Sequence, residues 1–332
     1  MKGRLFVSFA ALAVAATSAS AQIDTQRCPA TTNAQRISQD ACQKAIDLFA
    51  YLAPQLATTV AGGNATLGMA GSLGGLGHFS AGLRVNALQG SLPQVQNVTL
   101  QTSGATNSPP IDTKTQLFPM PTAELAIGIF KGLPLAITNV GGVDLLVSAA
   151  YLPEFNSSGV SVKVPNGSLK LGYGARVGIL QESLLVPGVS VSYVRRDLPT
   201  VNIAANSGSD SLYVNNFSLK TTAWRVVASK GLLLFGLAAG IGQDKYESST
   251  DISAHVAARA LTPAANAGPV SLSQNITRTN VFADLSLNLL LFKLTGEIGQ
   301  VSGGTINTYN TFSGTQAADS RVYGSVGARF GF

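Results

Sequence analysis

Side chains suited to acid–base chemistry are scarce in this sequence, which contains only two histidines, His78 and His255. Asp251 stands four residues before His255 in the stretch DISAHVAAR, and a carboxylate near an imidazole could serve as an acid–base pair. We interpret His255 instead as a solvated residue of a long polar connection. The sequence has neither a Gly-x-Ser-x-Gly elbow nor the spacing of a metal site, so it predicts no catalytic residue, no metal and no cofactor.

The two cysteines, Cys28 and Cys42, are the next candidates for chemistry. An even number of cysteines in an exported chain favours a disulfide, here closing a loop of about 15 residues. The alternative is half of a metal site. Apart from Asp40 and Asp47, no cluster of His, Asp or Glu residues stands near the pair, so we favour the disulfide.

Charged residues on the polar face of alternating segments are better candidates for a functional site. Burying any of them without a partner would be costly, so they must meet water or one another. They therefore either line a selective path for a solute or form a zipped polar core that fills a small barrel. This set comprises Arg84, Glu124, Asp144, Lys170, Arg176, Asp284, Lys293, Glu297, Arg321 and Arg329.

The composition points to a membrane. The 332 residues are 45% hydrophobic but only 11% charged, whereas soluble domains are about 25% charged. Outside the N-terminal region we find no run of about 18 apolar residues, so a helical span is not predicted. Apolar residues dispersed by alternation are typical of a transmembrane β-barrel. The net charge is +6, and without Lys2 and Arg4 of the N-terminal region it is +4, which is too small to favour nucleic-acid binding.

The N-terminal region has the pattern of a signal peptide. Lys2 and Arg4 precede the apolar stretch 5–16, and Ala19-Ser20-Ala21 matches an A-x-A cleavage site. We therefore predict a cleaved signal peptide at 1–21 and export. The remaining chain divides into an N-terminal segment at 22–77 and a barrel at 78–332.

The segment 22–77 contains one predicted helix, at about 38–60. Apolar residues recur there every three or four positions, Ser38 could cap the start, and Pro54 should kink or divide the helix. A glycine-rich stretch, GGNATLGMAGSLGGLGHFS (62–80), follows. The helix could be a plug in the barrel lumen, a periplasmic cap or a helix on the membrane surface.

From residue 78 onward, apolar and polar residues alternate in ten segments, several of them 9–11 residues long, which suits a tilted transmembrane strand. Lys220 and Arg225 fall on opposite faces of the sixth segment, so a bulge could shift its register. The stretches 95–101 and 159–164 could add strands. The ten segments are 79–88, 121–130, 143–151, 169–180, 188–196, 217–229, 232–243, 280–290, 292–301 and 321–332.

Long and short connections alternate strictly between these segments. The long ones are 89–120, 152–168, 197–216, 244–279 and 302–319. Outer-membrane barrels place long loops outside and short turns in the periplasm, with an even number of strands. The sequence therefore predicts an all-β, antiparallel transmembrane barrel of about ten to fourteen strands in the outer membrane of a Gram-negative bacterium.

Two stretches resemble known families. The last strand, RVYGSVGARFGF, resembles the C-terminal signature of bacterial outer-membrane proteins, which implies that Phe332 and its strand are recognised by the barrel-insertion machinery. The glycine-rich stretch 62–80 resembles the N-terminal hatch of FadL-type hydrophobic-compound transporters. That resemblance implies a segment in the lumen that gates a route for hydrophobic solutes. The chain lacks the Asn-Pro-Ala signature of that family, so no ligand residues carry over.

These observations predict passive transport or binding of a small, hydrophobic solute, with segment 22–77 as gate or plug. The alternative is a filled structural barrel whose extracellular loops bind partners. A third hypothesis is a rim hydrolase, because outer-membrane proteases of the omptin type carry acidic residues and a histidine at the outer rim. Asp251 and His255 are the only pair that could mimic that arrangement.

Overall fold

A computed structural model describes residues 21–32, 35–157, 160–258, 264–289 and 291–331. The predicted signal peptide lies outside the described residues except for Ala21, and so does Phe332. These described residues form one long helix, α1 (Arg36–Ala61), a short 3-10 turn (Val95–Asn97) and fifteen strands. The strands are β1 (Phe79–Pro93), β2 (Thr113–Phe130), β3 (Leu133–Leu135), β4 (Thr138–Val140), β5 (Gly142–Tyr151), β6 (Phe155–Ser157), β7 (Val160–Lys163), β8 (Leu169–Leu180), β9 (Gly188–Asp197), β10 (Val201–Ser207), β11 (Asp210–Leu232), β12 (Phe235–Val256), β13 (Ala265–Leu289), β14 (Phe292–Ser302) and β15 (Arg321–Gly331).

Ten of these strands close into an antiparallel barrel. Their order around the wall is β1, β2, β5, β8, β9, β11, β12, β13, β14 and β15. The last strand pairs with the first, from Ser80 opposite Gly331 to Leu88 opposite Tyr323. Closure leaves no free sheet edge in the wall, which is the condition for a β-structure to cross a membrane. The predicted barrel is confirmed, with a ring of ten strands.

The ring strands follow the ten predicted segments, and β8 matches its prediction residue for residue. The errors lie where strands leave the membrane. The predicted loop 244–279 is largely strand, because β12 and β13 pair along 22 and 25 residues respectively. The stretch 95–101, which could have extended a strand or added one, contains a 3-10 turn. The stretch 159–164 does contain a strand, β7, which lies in a loop and adds nothing to the ring.

An apolar belt surrounds the barrel. Large hydrophobic side chains at alternate positions of every ring strand face outward, among them Leu83, Leu171, Leu285, Ile298 and Val326, each at least 58% exposed. The 11 residues of β14 rise about 28 Å at about 3.3 Å per residue and a tilt of about 40°. This height suits the apolar band of outer-membrane barrels, about 25 Å.

The two ends of the barrel differ. At one end the connections are 131–141, 181–187, 233–234 and 290–291, and the first of these holds the small hairpin of β3 and β4. At the other end the connections are longer, and β11, β12 and β13 continue beyond the ring. There β6, β7 and β10 pair alongside β11, so a six-stranded sheet projects from one side of the mouth. Following the rule for outer-membrane barrels, we assign this end to the cell exterior.

Helix α1 is continuous through Pro54, so the predicted division of the helix is wrong. A proline lacks the N–H that would reach the carbonyl of Ala50, and Gln274 donates to that carbonyl instead, at 3.4 Å. Ser38 lies inside the helix, which begins after Gln35. Within the described part of the chain, no helix is both long and apolar enough to cross a bilayer.

Candidate functional site

The N-terminal segment occupies the barrel lumen. Its start is tied to α1 by the disulfide between Cys28 and Cys42, which confirms that prediction. Arg36 at the first turn donates to the carbonyl of Ser103 in the extracellular loop 94–112, at 3.1 Å. At the other end, Ser72 lies 2.6 Å from Gln181 of a periplasmic turn. Residues 36–73, here called the plug, therefore run the full height of the barrel.

Two buried aspartates on α1 hold extracellular loops over the plug. Asp40 accepts hydrogen bonds from the backbone of Gln101 (2.8 Å) and Thr106 (3.1 Å) and pairs with Lys44. Asp47, seven residues later on the same face, accepts two bonds from Asn310, at 2.8 and 2.7 Å. The alternative of half a metal site at Cys28 and Cys42 is wrong, because both sulfur atoms belong to the disulfide.

Aromatic packing strengthens the same contact. Tyr51 is fully buried and stacks on Phe312, with ring centroids 3.9 Å apart and an interplanar angle of 17°. Its hydroxyl donates to the carbonyl of Thr315 at 3.0 Å. On the opposite face of the helix, Phe49 packs edge-on against Phe217 of β11, with centroids 6.4 Å apart. Loops and wall thus clasp the upper helix from two sides.

Three wall arginines meet the C-terminal end of α1; we call Arg84, Arg196 and Arg225 the arginine collar. The last carbonyls of a helix lack partners within the helix and carry the negative end of its dipole. The collar supplies both hydrogen bonds and positive charge there. Arg196 donates to the backbone carbonyl of Ala61 at 2.6 Å, and Arg225 donates to that of Gly62 at 3.0 Å. Arg84 donates to the backbone carbonyl of Asn64 at 2.7 Å.

The collar is neutralised by acidic residues of neighbouring strands. Glu124 of β2 pairs with Arg84 at 2.7 Å and with Arg196 at 2.9 Å, and Asp244 of β12 pairs with Arg225. Gly62 turns the chain away from the helix at φ +60°, a conformation that favours glycine. The collar therefore fixes the point where the helix ends and the irregular part of the plug begins.

Below the collar, wall carboxylates accept hydrogen bonds from the irregular plug backbone. Glu297 accepts from the Asn64 amide at 2.7 Å, and Asp284 accepts from the Gly68 amide at 2.8 Å. Asp144 accepts from the amide of Leu73 at 3.0 Å. Irregular backbone at membrane depth is tolerated only when its polar groups are paired inside the protein. The lumen wall meets this requirement because its negatively charged carboxylates accept hydrogen bonds from the N–H groups of the plug.

The structure brings together nine of the ten predicted lumen residues. Arg321 lies at the extracellular end of the plug, over the ring of Tyr51, with 5.8 Å from its guanidinium carbon to the ring centroid. Lys170 is exposed at the rim of β8, where the barrel opens to solvent. The remaining eight face the plug or its ion pairs: Arg84, Glu124, Asp144, Arg176, Asp284, Lys293, Glu297 and Arg329.

Three residues of the site were missed, namely Arg196, Arg225 and Asp244. The sequence pattern places Asp244 in a loop, and it leaves the facing of Arg225 ambiguous because Lys220 falls on the opposite face of the same segment. The structure has no bulge between Lys220 and Arg225; the register shift lies upstream, between Asn215 and Ser218. Lys220 faces outward opposite Glu247, in the part of β11 above the membrane, where an exposed lysine costs little. Strand parity alone would have identified Arg196, which shares a face with the buried Ser190 and Ser192.

Asp251 and His255 lie on the same strand, in the extracellular extension of β12. Four residues of extended strand separate their side chains by about 13 Å. Asp251 accepts from Ser271 (2.6 Å) and Asn216 (3.1 Å), and these hydrogen bonds lower its pKa. His255 bonds to Asn266 at 2.7 Å. The two side chains are bound to different neighbours, and neither is placed to act on the other.

The spaces within the barrel and at its mouth differ greatly in size. Small cavities of about 20 and 10 Å³ lie between the plug and the wall, one beside Arg84 and the other between Val60 and the rim at Lys170. Such volumes hold about one water each. A cleft of about 570 Å³ opens at the extracellular mouth. It is bounded by α1, the loop 94–112 and the projecting sheet, and its apolar lining includes Leu48, Val98 and Leu100.

A closed ring, an outward apolar belt and a lumen filled with paired charge define an outer-membrane β-barrel protein. No protein-family model matches the sequence, and no curated protein matches it. Structural similarity extends to OmpTdeltaL8, a loop L8 deletion mutant of an outer membrane protein of Vibrio cholerae, at 10% identity over 76% of this chain and 98% of that chain, with a TM-score of 0.20. An anion-selective porin from Comamonas acidovorans is similar at 12% identity over 77% of this chain and 98% of that chain, with a TM-score of 0.18. TM-scores of this size carry no argument, so the class depends on the chain's own geometry.

Proposed function

We propose that this protein binds a small, apolar solute in the extracellular cleft and that the plug closes the barrel beneath it. The observation that carries the proposal is the cleft itself. Its volume of about 570 Å³ falls within the range of small-molecule sites, about 300–1,000 Å³. The cleft also lies on the side of the membrane from which a solute would arrive.

The lining indicates the chemistry of the solute. One wall consists of Ala41, Ala45 and Leu48 of α1 together with Lys44, and the facing wall of aliphatic residues in the loop 94–112. Further polar residues of the lining, Asn206, Asp210, Ser211 and His255, belong to the projecting sheet. An apolar body with one polar group, such as a medium-chain fatty acid, matches this arrangement.

The plug supports binding rather than free passage. Below the cleft, the lumen holds α1, the arginine collar and the irregular backbone down to Leu73. The small cavities between plug and wall are the size of single waters and are too small for such a solute. Passage would require the plug to move, which would expose the collar and its ion pairs.

A pair of substitutions on β10 tests the binding site. Ala205 lines the cleft, whereas its neighbour Ala204 does not contribute to the lining. We expect Ala205→Trp to weaken binding of radiolabelled decanoate in lipid nanodiscs at least tenfold, and Ala204→Trp to leave it unchanged. Decanoate that binds neither the parent protein nor the control, or that binds both tryptophan variants equally, would contradict the proposal.

Conductance of the full chain tests the plug. We expect the mature protein in a planar bilayer to show no steady channel current, because the lumen is occupied along its height. A persistent conductance of porin size would refute the closed state. The measurement is independent of the decanoate assay, so binding and closure can fail separately.

A second candidate function, contact with a partner at the cell surface, is favoured by the projecting sheet of β6, β7, β10, β11, β12 and β13. This sheet extends beyond the ring and has no part in enclosing the lumen. We propose no hydrolytic activity for Asp251 and His255. If there were a rim hydrolase, Asp251→Asn or His255→Gln would abolish peptide cleavage by the purified protein.

A further inference from the structure

The plug runs through the barrel in an unexpected direction. Its beginning, at the first turn of α1, packs against the extracellular ends of β12 and β13, where Ile37 and Ala41 cluster with Val256 and Ala265. Its end, Leu73, is bound to Asp144 near the start of β5, at the level of the periplasmic turns. The chain therefore descends from the long-loop end to the short-turn end before β1 begins.

The ring fixes which side is which. With ten strands, β1 begins and β15 ends at the same side of the barrel, and this is the side of the short turns. Short turns face the periplasm in outer-membrane barrels. Residues that precede the plug must then lie on the opposite side of the membrane from the start of β1.

We propose that the barrel carries its own N-terminal segment across the outer membrane and displays residues 22–32 at the cell surface. The segment is held there by the Cys28–Cys42 disulfide and by the contact between Arg36 and the loop 94–112. The membrane crossing is made by the plug, whose backbone groups bond to the lumen wall instead of to lipid. Thr31 and Thr32 are exposed in this arrangement.

Polar groups of the crossing segment find their partners inside the barrel and do not contact lipid. The 26 residues of α1 extend about 39 Å at 1.5 Å per residue, which exceeds the distance of about 15 Å from the middle of the hydrocarbon layer to its outer face. Its carbonyl end meets the arginine collar at mid-height, and the remaining plug backbone bonds to wall carboxylates. The crossing segment is therefore shielded from lipid by the wall, and apolar side chains of α1 such as Phe49, Ala53 and Ala57 pack inside the barrel.

Epitope accessibility on intact cells tests the proposal. A short peptide epitope is inserted between Thr31 and Thr32, and in separate variants between Asn107 and Ser108 of the loop 94–112 and between Leu184 and Leu185 of a periplasmic turn. Antibody cannot cross the outer membrane. We expect it to bind the first two variants on intact cells and the third only after permeabilisation.

A second insertion, between Gln26 and Arg27, guards against a local folding defect at the first position. Folding of every variant is checked by its heat-dependent mobility on SDS gels. If the epitopes at 26/27 and 31/32 bind antibody only after permeabilisation while that at 107/108 binds on intact cells, the proposal is overturned. A reversal of the 107/108 and 184/185 controls would also overturn it, because the barrel would then be inserted the other way.

Discussion

The ion pair of Asp144 and Arg176 offers a direct way to loosen the periplasmic end of the plug. Asp144 is fully buried and accepts from both Nε (2.9 Å) and Nη2 (2.7 Å) of Arg176. The same carboxylate accepts from the Leu73 amide at 3.0 Å. Asp144→Asn keeps the size of the side chain but removes its charge and turns an amide donor toward the guanidinium.

The expected magnitude follows from leaving Arg176 buried without its counter-ion. Removing one partner of a buried pair costs about 3–5 kcal/mol. At 1.4 kcal/mol per factor of ten, the equilibrium for local opening shifts by about 100- to 3,000-fold. Most of this cost is the unpaired charge, so adding Arg176→Gln to Asp144→Asn should restore most of the lost protection.

Hydrogen exchange measured in lipid nanodiscs reports this opening. We expect amides of residues 69–73 to exchange faster by that factor in Asp144→Asn, with the ring strands still protected. The double variant should exchange close to the parent rate. Unchanged protection in the single variant, or a double variant as open as the single one, would refute the claim that this pair holds the plug.

Further predictions concern the loop clasp and the membrane belt. Phe312→Ala should cost about 3–5 kcal/mol and make the loop 303–320 sensitive to protease on intact cells, whereas the exposed neighbour Thr311→Ala should not; equal sensitivity would contradict the stacking argument. Leu285→Arg should lower the free energy of unfolding in bilayers by about 2–4 kcal/mol, and Ser273→Arg, on the same face of β13 but above the membrane, by far less. Brominated lipids should quench the fluorescence of Trp224, the single tryptophan, which faces outward from β11 and is 42% exposed; fluorescence that is insensitive to these lipids would place Trp224 away from the acyl chains.

The distribution of charge explains how the barrel can hold polar backbone and charged side chains in its lumen while its outer face contacts lipid. Arginines of the wall meet carbonyls at the helix end, and carboxylates of the wall meet amides of the irregular plug. Each buried charge therefore has a backbone or side-chain partner inside the lumen, as burial in a low dielectric demands. The zipped polar core considered from the sequence is the arrangement that the structure adopts, with the plug as part of it.

The sequence by itself determined the barrel. Successive side chains of a strand point to opposite faces, so a strand between lipid and a polar interior shows alternating apolar and polar residues in its own local sequence. The ten ring segments could be located from that pattern. The disulfide between Cys28 and Cys42, which lie 14 positions apart, could also be predicted from the sequence.

Tertiary structure alone decided what fills the barrel. The helix could be recognised from its periodicity, but its place depends on contacts distant in sequence, such as Arg225 with Gly62, 163 positions apart. The role of Asp244 and the outward turn of Lys220 depended on how far β11 and β12 rise above the membrane. No local sequence pattern predicts how far these strands extend above the membrane. Outside the bilayer, a strand continues as long as its partner strand pairs with it, and lipid imposes no alternation of apolar and polar residues there.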